Sequence, residues 1–588
     1  MNASNCKLKD IIDSQRKLVI PYFQRPYVWQ EDQWERFMED MQYITQSQCQ
    51  YFLGSVILKQ QPTSATEAIG DVRTVIDGQQ RLTTITIFFK VLALKFNKNG
   101  NFTKNFQIED TDDPVICHSH IDRDYFKRVV NLVSLENFPE SDIKSSKILS
   151  AYTFFKDNFD KYNFDYNVIK NNMNFVCIDL NYEDDEQRIF DTVNSVGVVL
   201  STADLLKNYF FNEDSLSDYE KYWKDVFEKD EETRSYWDTI ITAGRLNRCN
   251  LDVLLYSFLM IKLQDKSLSV KTEDKQRYGK YDGLFDNYKQ FIKNYHTSMG
   301  CGSENECKLI LAKELKDYAV LYRNSFDPIV AQKELTNEYG LERINAIIYG
   351  LDNTTIIPYI LYFLRNQNDA EEQKKMFKVL ESYLMRRMVC KLSNKNYNNF
   401  FSEKLIGNSV LTASSLVDVF FEKEDVNNYP SNEEVVTAFH NSVLVNKQAT
   451  GVLYMIESFK RNSVHSTILR GVLNYSLEHM MPKKWRNNWD IPPTDELCRE
   501  RNFRLLTLGN LTIISLPLNT SIRDANWTDK KNGRGKHKGL IAYAGEIEIM
   551  SDALGKDNWT ENDIKERADY LAGLANQVWD ISEFTLSL

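Results

Sequence analysis

Thr74-Val-Ile76, Asp77-Gly-Gln-Gln-Arg81 and then Leu82 to Phe96 is the stretch from which the fold of the first part of the chain is read. The first three residues are all β-branched, which suits a strand. Leu82 to Phe96 contains neither glycine nor proline and reads as a buried helix. Between them lies a tight loop built on Gly78. A strand–loop–helix junction of this kind aims backbone N–H groups at whatever lies in front of the helix, and the helix dipole favours an anion there. Gly78 allows a close backbone approach, Gln79 and Gln80 offer amide donors, Arg81 offers a bidentate fork, and Asp77 could hold a magnesium ion. A tight turn closed by a surface arginine is the other reading of the same five residues.

Upstream, Tyr51-Phe-Leu-Gly-Ser-Val-Ile-Leu58 reads as a strand, and Ile20-Pro-Tyr-Phe-Gln-Arg-Pro-Tyr-Val-Trp29 sets Gln24 and Arg25 among aromatic rings in a proline-stiffened segment. That composition suits a flat, charged ligand, and equally an aromatic-packed N-terminal strand. Farther on, Phe190-Asp-Thr-Val-Asn-Ser-Val-Gly-Val-Val-Leu-Ser-Thr-Ala-Asp-Leu-Leu-Lys-Asn208 runs from one helix through a turn into another, with Ser201 or Thr202 as cap.

With 588 residues the chain exceeds what one hydrophobic core supports, so two or three domains are expected. Residues 215 to 425 read as long helices, among them Asn345 to Arg365 and Ala370 to Cys390. Beyond about residue 430 short strands return around Leu505 to Leu518. A last helix is announced by the capping box Thr560-x-x-Asp563, with Ile564, Ala568, Leu571, Ala575 and Val578 as its buried face. The expectation is an α+β multidomain protein with domains at 1–215, 216–428 and 429–588.

Hydrophobic residues at 42% and charged residues at 26% exclude a disordered or collagen-like chain. The opening Met1-Asn-Ala-Ser-Asn-Cys-Lys-Leu-Lys-Asp10 has no apolar core of a signal peptide, and Leu505 to Ile522 is too polar to span a membrane. A cytoplasmic protein without membrane contact is expected. The nine cysteines are scattered and predict reduced thiols rather than a zinc ribbon. His118 and His120 stand apart from further ligands and read as surface or turn residues.

The net charge is −11, yet Lys460 to Leu540 carries 15 Lys and Arg against 7 Asp and Glu, a local +8 that leaves −19 for the remainder. A basic island in an acidic chain suits a phosphodiester backbone, or else a solvated lysine-rich loop. Within it, Leu477-Glu-His-Met-Met-Pro482 places a carboxylate beside an imidazole on an extended segment, followed by Asn510 in Leu508-Gly-Asn-Leu-Thr-Ile-Ile514, then Asn519, then Lys530 and Lys531. Phosphodiester hydrolysis needs a base for water, a hard cation at the phosphate and oxygen ligands to hold it, which His479, Glu478 and Asn519 can supply.

Taken in order, IPYFQRPYVW, YFLGSVIL, VIDGQQRL and FDTVNSVGVVLSTADLLKN resemble the ParB/sulfiredoxin-like N-terminal domain of the GmrSD family of modification-dependent (type IV) restriction enzymes. The E-H…N…N series resembles the HNH, or ββα-metal (His-Me finger), nuclease that ends such proteins. The first resemblance implies binding and hydrolysis of a nucleoside triphosphate at Asp77, Gly78, Gln79, Gln80 and Arg81, with Gln24 and Arg25 beside them. The second implies His479 as general base, Glu478 and Asn519 as ligands of Mg²⁺ or another divalent metal, and Asn510 as the brace of the loop and the histidine. Lys483, Lys484, Lys530 and Lys531 are the expected DNA contacts. Glu478 stands where the family often has Asp. Glu381 to Cys390 and Lys395 to Phe400 resemble the helical connector, where Arg386 and Arg387 face either DNA, a domain interface or solvent.

The expected function is therefore nucleotide-regulated, Mg²⁺-dependent cleavage of modified double-stranded phage DNA, for instance DNA with glucosylated hydroxymethylcytosine. The alternatives are a phosphorothioate-sensing NTPase with a nicking nuclease, and a nucleotide-dependent DNA sensor that does not cut. A homodimer is one arrangement that would bring two nuclease domains to the two strands.

Overall fold

The computed structural model describes the chain apart from residues 1, 22, 23, 25, 62–68, 110, 112, 119, 182–201, 212–214, 244–245, 336–337, 423–426, 462–468, 516–521 and 586–588. The chain is an α+β multidomain protein that separates into two compact units, Met1–Asp214 and Ser215–Leu588. Residues 216–428 and 429–588 therefore lie together within the second unit.

The first unit is built on a six-stranded mixed sheet. In chain order its elements include β1 (Asn2–Lys7), β2 (Arg16–Val19), α1 (Glu31–Ser47), β3 (Tyr51–Gln60), β4 (Asp71–Asp77), α2 (Gln79–Lys95), β5 (Ile116–Cys117), α3 (Lys147–Asn158) and β6 (Met173–Leu180). The strand order is β1-β6-β3-β4-β2-β5. β3 runs parallel to β6 and antiparallel to β4, while β2 runs parallel to both β4 and β5. The strand, turn and helix expected over residues 74–96 are β4, Gly78 and α2. Helix α2 is buried continuously from Leu82 to Ala93, where all residues are apolar or threonine except Lys90, whose ammonium donates to Asn99 Oδ1 at 2.7 Å. Phe88 on it meets Phe37 of α1, Phe155 of α3 and Phe164 edge to face, at centroid distances of 5.3, 5.5 and 5.2 Å.

His118, expected at the surface, is buried instead. Its Nε2 shares a hydrogen bond of 2.9 Å with Thr83 Oγ1 of α2, and its Nδ1 lies 3.9 Å from Asp122 Oδ2. Asp122 accepts from the Tyr27 backbone N–H at 2.7 Å, and the Tyr27 hydroxyl pairs with Thr84 at 2.6 Å and accepts from Trp34 Nε1 at 2.8 Å. The HxH spacing gave no hint of this network, because its members come from distant segments.

The second unit is mainly helical. Its elements include β7 (Ile240–Ala243), β8 (Leu246–Cys249), α4 (Asn250–Leu263), α5 (Leu341–Gly350), α6 (Ile357–Asn366), α7 (Ala370–Val389), α8 (Asn432–Asn441), α9 (Asn446–Lys460), β9 (Ser476–His479), α10 (Asp495–Arg504), β10 (Leu511–Ile514), α11 (Trp527–Asn532), β11 (Gly533–Arg534), β12 (His537–Lys538) and α12 (Glu561–Val578). The single helix expected over Asn345 to Arg365 is two helices. α5 stops at Gly350, Asp352 takes a left-handed φ of 57°, and Pro358 opens the first turn of α6, a position that needs no N–H.

Helix α7 carries its charges inward. Glu381 receives both Nε and Nη2 of Arg343 at 2.7 Å, each side chain being almost wholly buried. Arg386 and Arg387 are buried too, so they face neither DNA nor solvent here. Arg386 donates to the carbonyls of Trp579 and Pro430, and Arg387 to those of Asn428 and Ser393. Helix α12 has the expected capping box, Thr560 accepting from the Asp563 N–H and Asp563 from the Thr560 N–H, and the five apolar residues named for its face are all buried. Among the described residues no helix is long and apolar enough to cross a membrane.

Candidate functional site

The Glu-His pair sits on β9. This strand pairs antiparallel with β10 in the register His479 opposite Leu511 and Glu478 opposite Thr512, and α11 follows. Two short antiparallel strands followed by a helix thus carry the motif, although Met480 to Asn510, including α10, is inserted between the strands.

Two sets of hydrogen bonds and one close packing contact fix this insertion. Asn510 is fully buried and uses its whole side chain: Oδ1 accepts from the Met481 N–H at 2.8 Å and from Trp559 Nε1 at 3.1 Å, and Nδ2 donates to the carbonyls of Met481 and Leu505 at 2.8 and 3.0 Å. It braces the backbone just beyond His479 and has no face open to a substrate, so its place is that of a positioning residue. Gly509 lets this turn press on α12, since a Cβ there would come within 2.2 Å of the Ile564 carbonyl. Asn487, Asn488 and Trp489 then strap the insertion to Asp524 and Ala525, just ahead of α11, at 2.7–2.8 Å.

Helix α11 is capped by Asn526, whose side chain accepts from the Asp529 N–H at 2.9 Å. It delivers Lys530 to the motif. Lys530 has no solvent exposure, and its ammonium donates to Glu478 Oε1 and to the Arg523 carbonyl, both at 2.7 Å. It is thus turned inward rather than toward a DNA backbone. Lys531 donates to the Lys556 carbonyl at 3.0 Å, whereas Lys483 and Lys484 are exposed.

His479 is half-buried, and its pKa is pushed down to about 4, first by burial and then by the charges of Lys483 and Lys530. The imidazole is accordingly neutral at physiological pH, the form that can accept a proton. Neighbouring residues of a strand project to opposite faces, yet the charge of Lys530 bears on both Glu478 and His479.

A hard cation takes carboxylate and amide oxygens. Glu478 fits in donor type, being a partly exposed carboxylate, and one of its oxygens is already compensated by a positive charge. Asn519 lies outside the described residues. Among the described residues no three His, Cys, Asp or Glu side chains gather as a metal cluster.

In the first unit, Gly78 takes φ 99° at the head of α2, and a Cβ there would press on Val56 at 3.0 Å. Gln79 is buried. Gln80 reaches back to the proline-rich segment, Oε1 accepting from the Val28 N–H at 2.9 Å and Nε2 donating to the Pro26 carbonyl at 3.1 Å. Gln24 closes the same clasp by donating to the carbonyls of Val75 and Ile76. Arg81 pairs with Asp77 at 3.2 Å and donates to the Leu53 carbonyl, both side chains remaining about a quarter exposed. The structure therefore brings Gln24, Asp77, Gly78, Gln80 and Arg81 together around one turn. Arg25 and most of the segment from Phe190 to Asn208 lie outside the described residues.

The sequence reading missed Arg567. Fully buried on α12, it donates to the carbonyls of Gly509, Leu511 and Ile549 at 3.0, 2.8 and 3.2 Å, holding the turn that carries Asn510. Its signal was present: it falls between Ile564 and Ala568, on the face otherwise apolar at helical spacing.

Two family models match the chain. Residues 8–211 match the N-terminal domain of the GmrSD restriction endonuclease, and residues 423–574 match the C-terminal domain of the GmrSD restriction endonucleases. No curated protein matches it.

Proposed function

The chain belongs to the GmrSD restriction endonucleases, enzymes that act on DNA, and from that premise we propose a division of labour between its two ends. The C-terminal part hydrolyses the phosphodiester at His479, in an HNH-type site, and the N-terminal part binds and hydrolyses a nucleoside triphosphate that gates the cut. The substrate is modified double-stranded phage DNA, such as DNA bearing glucosylated hydroxymethylcytosine.

The observation that carries this reading is the neutral, half-buried His479 on β9 beside the Glu478–Lys530 pair. The ring takes the proton of the attacking water. Its low basicity in the free protein is relieved as the substrate phosphate arrives, because negative charge nearby favours the imidazolium. A Mg²⁺ ion held by Glu478 and Asn519 would supply positive charge at the scissile phosphate. Glu478 orients toward that charge, Asn510 and Arg567 keep β9 and the turn before β10 in place, and the exposed Lys483 and Lys484 meet the DNA backbone.

The nucleotide reading is supported by the left-handed Gly78 turn at the head of α2, with the partly open Asp77 and Arg81 beside it. Gating adds discrimination, since a second ligand that binds the active state more tightly shifts the enzyme toward it only when that ligand is present.

The test is His479→Ala in the full chain. Cleavage of modified DNA falls by about 10²–10⁴-fold while nucleotide hydrolysis persists; cleavage at the wild-type rate would sink the assignment of the base.

A further inference from the structure

Immediately after α11 the chain makes a small hairpin, Gly533-Arg-Gly-Lys-His-Lys-Gly539, in which β11 and β12 pair Gly533 with Lys538 and Arg534 with His537. The geometry is demanding. Gly533 takes φ 90°, and a Cβ on it would meet the His537 carbonyl at 2.2 Å, while a Cβ on Gly539 would meet Gly533 N at 2.2 Å. Gly535 opens the two-residue loop at φ 60°, as such loops require. Glycines at these positions fix the shape of the hairpin, whereas every side chain it presents is polar and cationic or ionisable: Arg534, Lys536, His537 and Lys538 are all exposed.

No acidic residue occurs from Lys530 to Gly545. Among the described residues, Arg534, Lys536 and Lys538 have no ion-pair partner, although the chain as a whole is acidic. A solvated lysine loop would not need a backbone this constrained. The hairpin also grows directly from the helix whose Lys530 grips Glu478, so its position is tied to that of the catalytic strand.

We propose that the Gly533–Lys538 hairpin is a phosphate-binding finger for duplex DNA, holding the strand backbone next to the bond that His479 attacks. The partner follows from the chemistry: three fixed positive charges and an imidazole on a narrow, two-stranded ribbon match a polyanionic backbone. The assignment rests on the nuclease reading above and adds residues to it. Such contacts position the duplex without reading its sequence.

The experiment uses the full-length protein with a fluorescent duplex of plain sequence, in EDTA to prevent cutting, titrated over a range of salt concentrations. Arg534→Ser/Lys536→Ser/Lys538→Ser is expected to weaken binding about tenfold or more near 0.1 M salt and to lower the slope of log K against log salt by about 2–3. Its thermal midpoint should match the wild type, since the three side chains are exposed. Arg534→Lys/Lys536→Arg/Lys538→Arg, which keeps the charges, should restore both. Wild-type affinity and slope in the serine variant overturn the finger while leaving the nuclease reading intact. A wild-type protein that binds neither this duplex nor one bearing glucosylated hydroxymethylcytosine at any salt concentration overturns both.

Discussion

Lys530 and Glu478 form a cation–carboxylate pair at 2.7 Å in which the lysine is completely enclosed and the glutamate only partly so. A buried ammonium with one carboxylate and one carbonyl partner is stable only while both remain. Lys530→Met therefore leaves Glu478 without its counter-charge, and the expected cost is about 3 kcal/mol of stability, read by chemical denaturation of the second unit. The same substitution should tighten the binding of Mn²⁺ measured by calorimetry, because an ion no longer competes with an ammonium for Glu478. Weaker binding would assign Lys530 the opposite task of orienting the carboxylate.

Asn510→Asp tests the brace. A carboxylate can still accept from Met481 N–H and Trp559 Nε1, but it cannot donate to the carbonyls of Met481 and Leu505. Nuclease activity should fall by an order of magnitude or more through displacement of His479, with nucleotide hydrolysis in the other unit unchanged. Equal loss of both activities would point to general misfolding.

Arg81→Ala addresses the turn at Gly78. Its ion pair with Asp77 is partly exposed and worth less than about 1 kcal/mol, so the fold should survive. Triphosphate affinity, followed by the ligand-induced rise in thermal midpoint, should drop about tenfold or more. An unchanged ligand-induced shift would return this turn to a purely structural role.

Acid should loosen the first unit through His118. Burial lowers its pKa to about 3, so the folded state keeps the ring neutral while the unfolded chain takes up a proton below about 6.5. The unfolded state binds more protons between those values, and stability present above pH 6.5 is lost as the pH falls toward 3. The loss is roughly 3 kcal/mol by pH 4.5. His118→Gln, which can keep a bond to Thr83, should flatten the pH dependence of the unfolding midpoint over that window.

What the sequence disclosed is local. β4, Gly78 and α2 follow from a β-branched run, a glycine and an uninterrupted apolar stretch, and the capping box of α12 from its spacing. Of Leu477 to Pro482, which reads as extended, Leu477 to His479 belongs to strand β9. The break between α5 and α6 was signalled by Gly350 and Pro358, against the pull of a long apolar pattern. What stayed hidden depends on partners far along the chain. Lys530 reads as a DNA contact until Glu478 is known to lie beside it, and Arg386 and Arg387 leave DNA, a domain interface and solvent open until the carbonyls of Trp579 and Asn428 are known to be their acceptors. His118 was misread because its neighbours in sequence say nothing of Thr83.

Helix α12 has a consequence for timing. The carbonyls of Gly509 and Leu511 are held by Arg567, and the amide of Asn510 by Trp559, so the strand pair beneath His479 lacks its clamps until the ribosome has passed these two residues. A nascent chain that has already emerged with Glu478, His479 and Lys530 does not yet hold them in their final arrangement. The order in which the polypeptide is made thus leaves the strand pair of Glu478 and His479 without these clamps until nearly the whole chain has been synthesised.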